Sequence, residues 1–202
     1  MDNRVKVIVA IVLAFSCVPP ANGCGFHAPL GAQLESMYPG SFPVAVALRK
    51  AADSGVINAA ALEAPRTPTA LFIETMPRLQ RLRKALAASP VAAKLPVTFS
   101  LGYVESRLWT RYSQSDGNIR IDIHIDSPIE GEAVVLTGEP VLMELFTGRL
   151  TVEQALADGM ILINGNESEK SAIRDALIAA SDYSRATAHS VTTTSASTTP
   201  LH

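Results

Sequence analysis

The stretch from Val134 to Gly165 constrains the fold of this chain more than any other part of it. It begins with a short apolar run, Val134–Leu136, that is typical of a buried strand. Glu139 and Pro140 then stand where a helix favours an acid and a proline in its first turn. Apolar residues follow at helical spacing until Gly148, a residue that commonly ends a helix. This half of the stretch predicts a strand that leads directly into a helix.

The second half of the stretch repeats the same order of signals in reverse. Thr151 and Gln154 have the form of a capping box, which predicts that a second helix begins there. Gly159 ends that helix, and Met160–Ile163 is apolar enough for a covered strand. The whole stretch therefore predicts a strand, two helices and a strand. It contains no obvious nucleophile, base or metal ligand, so it indicates architecture rather than chemistry.

A sheet is predicted upstream of this stretch. Pro96–Val104 alternates apolar and polar residues, as a half-buried strand does. Asp116-Gly117 is a preferred two-residue hairpin turn between two further alternating runs. Counting outward from that turn pairs Ser115 with Asn118 and Gln114 with Ile119. The more apolar face of the hairpin then has the pairs Tyr112–Ile121, Thr110–Ile123 and Leu108–Ile125. The other face has the pairs Ser113–Arg120, Arg111–Asp122, Trp109–His124 and Arg107–Asp126.

That register bears on one candidate site for a metal or for acid–base chemistry. Asp122, His124 and Asp126 alternate along a single strand, so their side chains would share one face. The register gives each carboxylate an arginine as its cross-strand neighbour, and arginines beside carboxylates disfavour a bound cation. We therefore interpret this set as a salt-bridged sheet surface, and we predict no metal site and no cofactor.

The remaining patterns predict helices and define the fold class. Pro77 lies inside the longest predicted helix and should kink it or split it in two. Together the elements predict an α/β (α+β) fold, in which an antiparallel-rich sheet of about five strands is covered by helices and preceded by a helical extension. The predicted helices are Leu30–Tyr38, Pro43–Ser54, Ile57–Leu62, a helix from Thr67 to about Ser89, and Ser168–Ala180.

The N-terminus has the pattern of an export signal. Arg4 and Lys6 form a basic start, and Val7–Val18 is an apolar run too short for a comfortable membrane span. Cleavage after Gly23 would leave Cys24 as the only cysteine, so an internal disulfide would be impossible. The sequence around Cys24 resembles the end of a bacterial lipoprotein signal. We therefore predict export to the periplasm or cell envelope, with Cys24 free, lipidated or cross-linked to another chain.

Several classes of function are disfavoured by the composition. The net charge of −2 gives no electrostatic case for binding nucleic acid. Cys24 and His27 could both reach a soft metal, but two ligands make an incomplete site. A constellation of nucleophile and base is missing from the sequence pattern, so we predict that the protein is not an enzyme. Residues 186–202 are mostly Thr, Ser and Ala, which is typical of a disordered tail.

The run from Leu136 to Gly165 resembles the C-terminal half of the sterol carrier protein type-two family. The resemblance implies a layered fold of sheet and helices with an apolar cavity that binds lipids or other hydrophobic molecules; similar domains are also appended to alkylsulfatases. Together with the patterns described above, the resemblance divides the chain into four parts. They are an export signal (1–23), a helical N-terminal region (24–95), a sterol-carrier-like domain (96–183) and a tail (184–202). The matching residues are Leu145, Thr147, Gly148, Arg149, Leu150, Ala155, Gly159, Ile161, Ile163 and Gly165.

The sequence thus predicts an exported, non-catalytic binding protein for a lipid or another hydrophobic small molecule, held between sheet and helices. The alternative is an accessory or interaction protein of the envelope that has no ligand cavity and is anchored by a lipid on Cys24. The two hypotheses differ in whether one set of apolar side chains lines a cavity or only fills the core. The predicted lining residues are Leu142, Leu145, Phe146, Leu156, Met160, Leu162, Ile173 and Leu177.

Overall fold

A computed structural model describes residues 37–63, 68–115 and 117–195. Its centre is one sheet with the strand order β3-β2-β1-β4-β5. Three of the four strand pairings are antiparallel, whereas β1 and β4 run parallel. This confirms the predicted α/β class and the mostly antiparallel sheet. The strands are β1 (Thr98–Tyr103), β2 (Leu108–Ser115), β3 (Asn118–Ile125), β4 (Ala133–Thr137) and β5 (Leu162–Asn164).

Helices cover this sheet and pack against one another. The longest two, α3 and α6, lie side by side, and α3 also packs on β3, while α4 packs on α6. The predicted helix Leu30–Tyr38 falls almost wholly outside the described residues. The helices are α1 (Ser41–Asp53), α2 (Ala60–Glu63), α3 (Pro68–Ala88), α4 (Glu139–Thr147), α5 (Val152–Ala157) and α6 (Glu167–Ser195), with a 3-10 turn at Ala92–Lys94.

Two helices differ from their prediction. The helix α3 runs through Pro77 without being split. Pro77 lies on the exposed side of α3, and Ile73, whose carbonyl loses its helical partner to the proline, is 64% exposed, so water can reach that carbonyl. The helix α6 continues far beyond Ala180, and the backbone of residues 186–195 is helical where the sequence predicts a tail.

The strand–helix–helix–strand unit of residues 134–165 forms as its local signals predict. Gly148 ends α4 in the left-handed conformation, with φ of 75°. Thr151 accepts the N–H of Gln154 at 3.2 Å, and the Gln154 side chain accepts the N–H of Thr151 at 3.1 Å, which completes the capping box. Gly159 follows α5 with φ of 73°, and β5 begins at Leu162.

The β2–β3 hairpin keeps the predicted register on the turn side of a bulge and loses it beyond. Thr110 pairs with Ile123 as predicted, but Trp109 pairs with Ile125. His124 is the extra residue and has φ of 65°, which is typical of the first residue of a bulge. The predicted pairs Trp109–His124 and Leu108–Ile125 are therefore wrong. The bulge also moves His124 away from the indole, and its ring lies 5.4 Å from that of Phe72 on α3.

The predicted charge pairs across the hairpin are also corrected. Arg111 does stand opposite Asp122, but its guanidinium instead binds Glu132, with Nε 3.0 Å from Oε1. The Glu132 side chain is 0% exposed, so this pair lies inside the protein and not on a sheet surface. Arg107 lies in the turn before β2 with φ of 56°, and Asp126 follows the end of β3, so this predicted pair is outside the ladder.

The core lies around the two central strands, β1 and β4. All five residues of β4 are buried, and β1 is buried except at Thr98. α1 covers the β4 side, because Leu48 occupies the space where a side chain on Gly138 would lie. In the part of the chain that the structure describes, no helix is long and apolar enough to cross a membrane.

Candidate functional site

A surface groove lies between α1 and residues 156–162. Gly40 begins α1 with φ of 92°, and an added Cβ there would collide with the side chain of Leu162. The start of α1 is therefore seated directly against β5. Further along, Ala47 faces Gly159, where an added Cβ would lie 3.6 Å from the Ala47 methyl group. The two walls therefore approach each other here, although 3.6 Å is an ordinary contact distance and Gly159 is favoured by its φ of 73° rather than by lack of space.

The groove has two lobes, one on each side of this narrow point. The larger lobe has a volume of about 350 Å³ and runs past Pro43, Val46 and Leu162. The smaller lobe has a volume of about 220 Å³ and runs toward Val56 and Met160. Both are partly open to solvent. The walls of the larger lobe are mainly apolar, whereas those of the smaller lobe are nearly half polar. Together they offer room for a chain-like apolar group to lie along α1.

A second depression, of about 350 Å³, lies across the ridge formed by Leu156, Ile161 and Leu162. It faces α6 and carries Lys170 and Arg174 on its rim. Both cations have acceptors on their own helix: Lys170 pairs with Glu167 at 2.9 Å, and Arg174 contacts Asp175 at 3.2 Å. The cations of this depression are therefore already matched within α6.

Two charged residues stand where the two lobes of the α1 groove meet. Lys50 of α1 and Asp158, the residue that follows α5, each line both lobes. Both side chains are exposed. Among the described residues, neither takes part in an ion pair. An apolar groove with one cation and one anion at its mouth can hold an amphiphile, with its chain in the groove and its head at the surface.

The eight residues predicted to line a cavity divide into two groups. Leu156, Met160 and Leu162 line the grooves described above. The other five are packed into the core, with side chains that are 1–4% exposed: Leu142, Leu145, Phe146, Ile173 and Leu177. They contact none of the three grooves, and whether any of the eight binds a ligand stays a prediction.

Sequence reasoning missed the residues that α1 contributes, namely Pro43, Val46, Ala47 and Lys50. The buried face of α1 is formed by Val44, Leu48, Ala51 and Ala52, and the groove lies on its flank. A signal was present, because Val46 and Ala47 extend the apolar surface beyond the width that one core-facing stripe needs. That wider apolar surface is the signal that could have identified α1 as one wall of a groove.

A cluster of buried and half-buried charges lies elsewhere, at the start of α4. Arg78 of α3 forms an ion pair with Glu139, and the backbone N–H of Glu139 donates to Glu105 at 2.6 Å. Burial, aided by the charge of Glu105, raises the pKa of the nearby Tyr103 hydroxyl well above its ordinary value. These groups join β1, α3 and α4, and none of them lines the grooves.

The basic stretch of α3 is used for packing. Arg81 donates to the Ser184 carbonyl at 3.2 Å and lies over the Phe146 ring, 4.8 Å from its centroid. Arg83 donates to the Ile119 carbonyl at 3.2 Å. Together with Arg78, these residues tether α3 to α4, α6 and β3. Only Lys84 of this group is fully exposed, so the stretch is not a surface for anionic lipid.

The described residues contain no group of three or more His, Cys, Asp or Glu side chains that could hold a metal ion. Asp122, His124 and Asp126, which share a strand in the sequence pattern, are separated by the bulge at His124. Cys24 and His27 lie outside the described residues.

Comparison with solved structures finds sterol carrier proteins. The crystal structure of sterol carrier protein 2 has 16% identity and a TM-score of 0.41, over 54% of this chain and 94% of the other. The ubiquinone synthesis protein UbiJ-SCP2 has 13% identity and a TM-score of 0.40, over 55% and 96%. Each of these two matches covers about half of this chain.

A third match is a much larger protein, the sec-alkylsulfatase Pisa1 from Pseudomonas sp., with 11% identity and a TM-score of 0.36 over 45% of this chain. The chain spans 14% of the length of that enzyme. No protein-family model matches the chain, and no curated protein matches its sequence.

Proposed function

We propose that this protein binds a lipid or another hydrophobic small molecule and does not transform it. The observation that carries the proposal is the two-lobed groove beside α1, which is partly open to solvent and whose larger lobe has mainly apolar walls. Leu156, Met160 and Leu162, which belong to the predicted lining, all face this space. The ligand would lie between α1 and the sheet edge at β5, and not deep between the sheet and α4.

The motif of residues 136–165 supports the same class of ligand, because the family that it resembles binds apolar molecules. Its residues build one wall of the groove: Gly159 lies beside Ala47 of α1, and Ile161 and Leu162 form the floor at β5. The other wall comes from α1, which belongs to the helical region before the sterol-carrier-like part. Both parts of the chain are therefore needed for the proposed site.

Export belongs to this proposal as well. The pattern of residues 1–23 supports a signal that is removed, and Gly23-Cys24 supports a lipid on the new N-terminal cysteine. The intact mass of the protein purified from the envelope fraction of its cells tests both points. A diacylglyceryl adduct on a chain that begins at Cys24 is expected for a lipoprotein. A bare chain that begins at Cys24 indicates soluble export, and an uncleaved chain contradicts the signal.

Native mass spectrometry of the same sample tests the binding function. We expect an apolar molecule to co-purify with the wild-type chain. The variant Val46→Trp places a large side chain in the larger lobe and should lose that molecule. The matched control is Val97→Trp, because Val97 is 74% exposed just before β1 and does not line the groove. The control should keep the ligand.

The second candidate is an envelope accessory protein without a ligand. It is favoured by the close packing of Leu142, Leu145 and Ile173, which are only 1–2% exposed and fill the core where a deep cavity would lie. A wild-type protein that is persistently free of ligand, and that binds no added amphiphile, would support this candidate and contradict the first.

A further inference from the structure

We propose that the groove beside α1 selects amphiphiles with a zwitterionic head group, which Lys50 and Asp158 hold together. The inference rests on the proposed function, since it concerns the same groove. Each of the two residues lines both lobes, so the two charges stand at the point that joins them. An apolar chain in either lobe therefore brings its head group to the same pair of charges.

Both charges lack partners of their own. Arg49, the neighbour of Lys50, forms an ion pair with Asp53 at 3.0 Å, which is the usual arrangement on an exposed helix. Within the described residues, Lys50 and Asp158 form no such pair, either with each other or with a third residue. Two opposite charges on facing walls that do not bridge the groove leave room for a group between them.

Asp158 also stands where a negative charge is locally unfavourable. It is the C-cap of α5, and its N–H donates to the Gln154 carbonyl. The exposed carbonyls at the end of a helix favour a cation, as Lys50 illustrates in the last turn of α1. The carboxylate of Asp158 therefore does not stabilise α5. Its position opposite Lys50 suits it instead to contact a cationic group in the groove.

The pair discriminates between head groups by simple electrostatics. A carboxylate head is attracted by Lys50 and repelled by Asp158, and a quaternary ammonium head experiences the reverse. A head group with both charges can place its anion at Lys50 and its cation at Asp158. Because both residues are exposed, water and salt weaken each contact, and we expect a preference of about twofold to fivefold per charge.

The experiment uses three probes with the same C12 chain, each kept below its critical micelle concentration. They are dodecylphosphocholine, dodecanoate and dodecyltrimethylammonium, and their dissociation constants for the full chain are measured by isothermal titration calorimetry. Since the apolar chain is constant, differences between the probes report the head group alone. The wild-type protein should bind dodecylphosphocholine most tightly.

Charge variants should then change which of the three probes binds most tightly. Lys50→Glu should make dodecyltrimethylammonium the tightest probe, and Asp158→Lys should do the same for dodecanoate. The double variant Lys50→Glu/Asp158→Lys should restore the preference for dodecylphosphocholine, because both charges are present again. Controls with equal charge changes outside the groove are Lys94→Glu and Asp126→Lys, both at exposed positions. They should leave the order unchanged.

The outcomes distinguish a failure of this head-group inference from a failure of the proposed binding function on which it rests. If all three probes bind, Val46→Trp abolishes binding and yet the order of the probes is the same in every variant, the groove is the site but the head-group inference is wrong. If no probe binds, or if Val46→Trp binds as the wild type does, the proposed function itself is wrong. If Lys94→Glu and Asp126→Lys change the order of the probe affinities in the same way, the effect comes from the net charge of the protein. That result also overturns the inference.

Discussion

Arg78 on α3 forms an ion pair with Glu139, the first residue of α4, and this contact ties the two helices together. The Glu139 side chain is only 2% exposed, whereas that of Arg78 is 32% exposed. The network continues through the Glu139 N–H to Glu105. The acid in the first turn of α4 suits the helix dipole, but its burial makes it depend on the guanidinium.

Removing that guanidinium should destabilise the fold severely. In Arg78→Met the buried carboxylate of Glu139 loses its counter-charge, and we expect a loss of roughly 3 kcal/mol in the free energy of unfolding. This value is at the low end for a buried pair because water can reach the Arg78 side. Denaturation in urea measures it. The exposed Lys84→Met on the same helix should cost less than about 0.5 kcal/mol, and equal losses would contradict the role of the pair.

The second buried carboxylate, Glu132, should contribute more to the stability of the fold than Asp122, the predicted partner of Arg111. Glu132 accepts hydrogen bonds from Ser100 Oγ at 2.9 Å, from Arg111 Nε at 3.0 Å and from the Ile129 N–H at 3.1 Å. We expect Glu132→Gln to lower the free energy of unfolding by about 2 kcal/mol, because a buried carboxylate loses its charge-assisted hydrogen bonds. Asp122→Asn is the matched change at an exposed carboxylate.

Asp122→Asn should stay within about 0.5 kcal/mol of the wild type, since the Arg111 guanidinium is bound to Glu132. Urea unfolding of the two variants, with equal slopes, compares them directly. If Asp122→Asn were the more damaging change, the cross-strand pair predicted by the register would be the real one.

The unit of residues 134–165 could be predicted well because its signals are local. The capping box at Thr151 and Gln154 and the left-handed glycine at 148 act within a single turn of chain. Rules for such contacts hold whatever the rest of the protein does. The same is true of the hairpin register close to Gly117, where the turn determines the pairing.

The predicted register of the hairpin is wrong at His124, because the formation of a bulge depends on tertiary contacts. Nothing in the alternating pattern marks an extra residue, and His is only moderately favoured at positive φ. In the structure the bulge lets Trp109 pack against Tyr38, with ring centroids 5.9 Å apart, and lets His124 reach Phe72. Both aromatic partners come from far upstream in the sequence.

The candidate site was only partly predictable for a related reason. Apolar spacing identifies which residues are covered but not what covers them, and core and cavity share the same residue types. Leu145 and Leu162 are both apolar at covered positions, yet the first is in the core and the second lines a groove. The difference depends on the position of α1, which the close contact between Gly40 and Leu162 helps to determine.

Stability should fall at high pH because of two buried phenols. Burial raises the pKa of Tyr103 and of Tyr112 well above the ordinary value of 10.0. Above pH 10 the unfolded chain loses these protons while the folded chain keeps them, so the free energy of unfolding decreases as pH rises. Below pH 10 this contribution is fully present. Absorbance of phenolate near 295 nm should rise for both residues only as the protein unfolds.

The variant Tyr103→Phe separates this effect from general alkaline damage. It removes one titrating group and an unpartnered buried hydroxyl, so the decrease of stability above pH 10 should become shallower. Urea unfolding at pH 8 and at pH 10.5 measures the change for both proteins. An equal decrease in the two would mean that Tyr103 already ionises in the folded state.

Gly102 is needed because the ring of Trp109 lies directly over it. The two residues are opposite each other on β1 and β2, and an added Cβ would lie 2.5 Å from Cζ3 of the indole. The indole is only 4% exposed and cannot simply turn into solvent. Gly102→Ala should therefore cost about 1–3 kcal/mol and shift the emission of this single tryptophan to longer wavelength.

A double-mutant cycle tests the cause of that loss. Trp109→Leu alone should destabilise the protein by opening space above Gly102, and in that background Gly102→Ala should cost less, because the ring that it would strike is gone. We therefore expect the double variant to lose less stability than the sum of the two single variants. Strictly additive losses would mean that the glycine is needed for its backbone rather than for the ring. Val97→Ala on the exposed end of the same sheet should leave both stability and emission almost unchanged, since its side chain packs on nothing in the core.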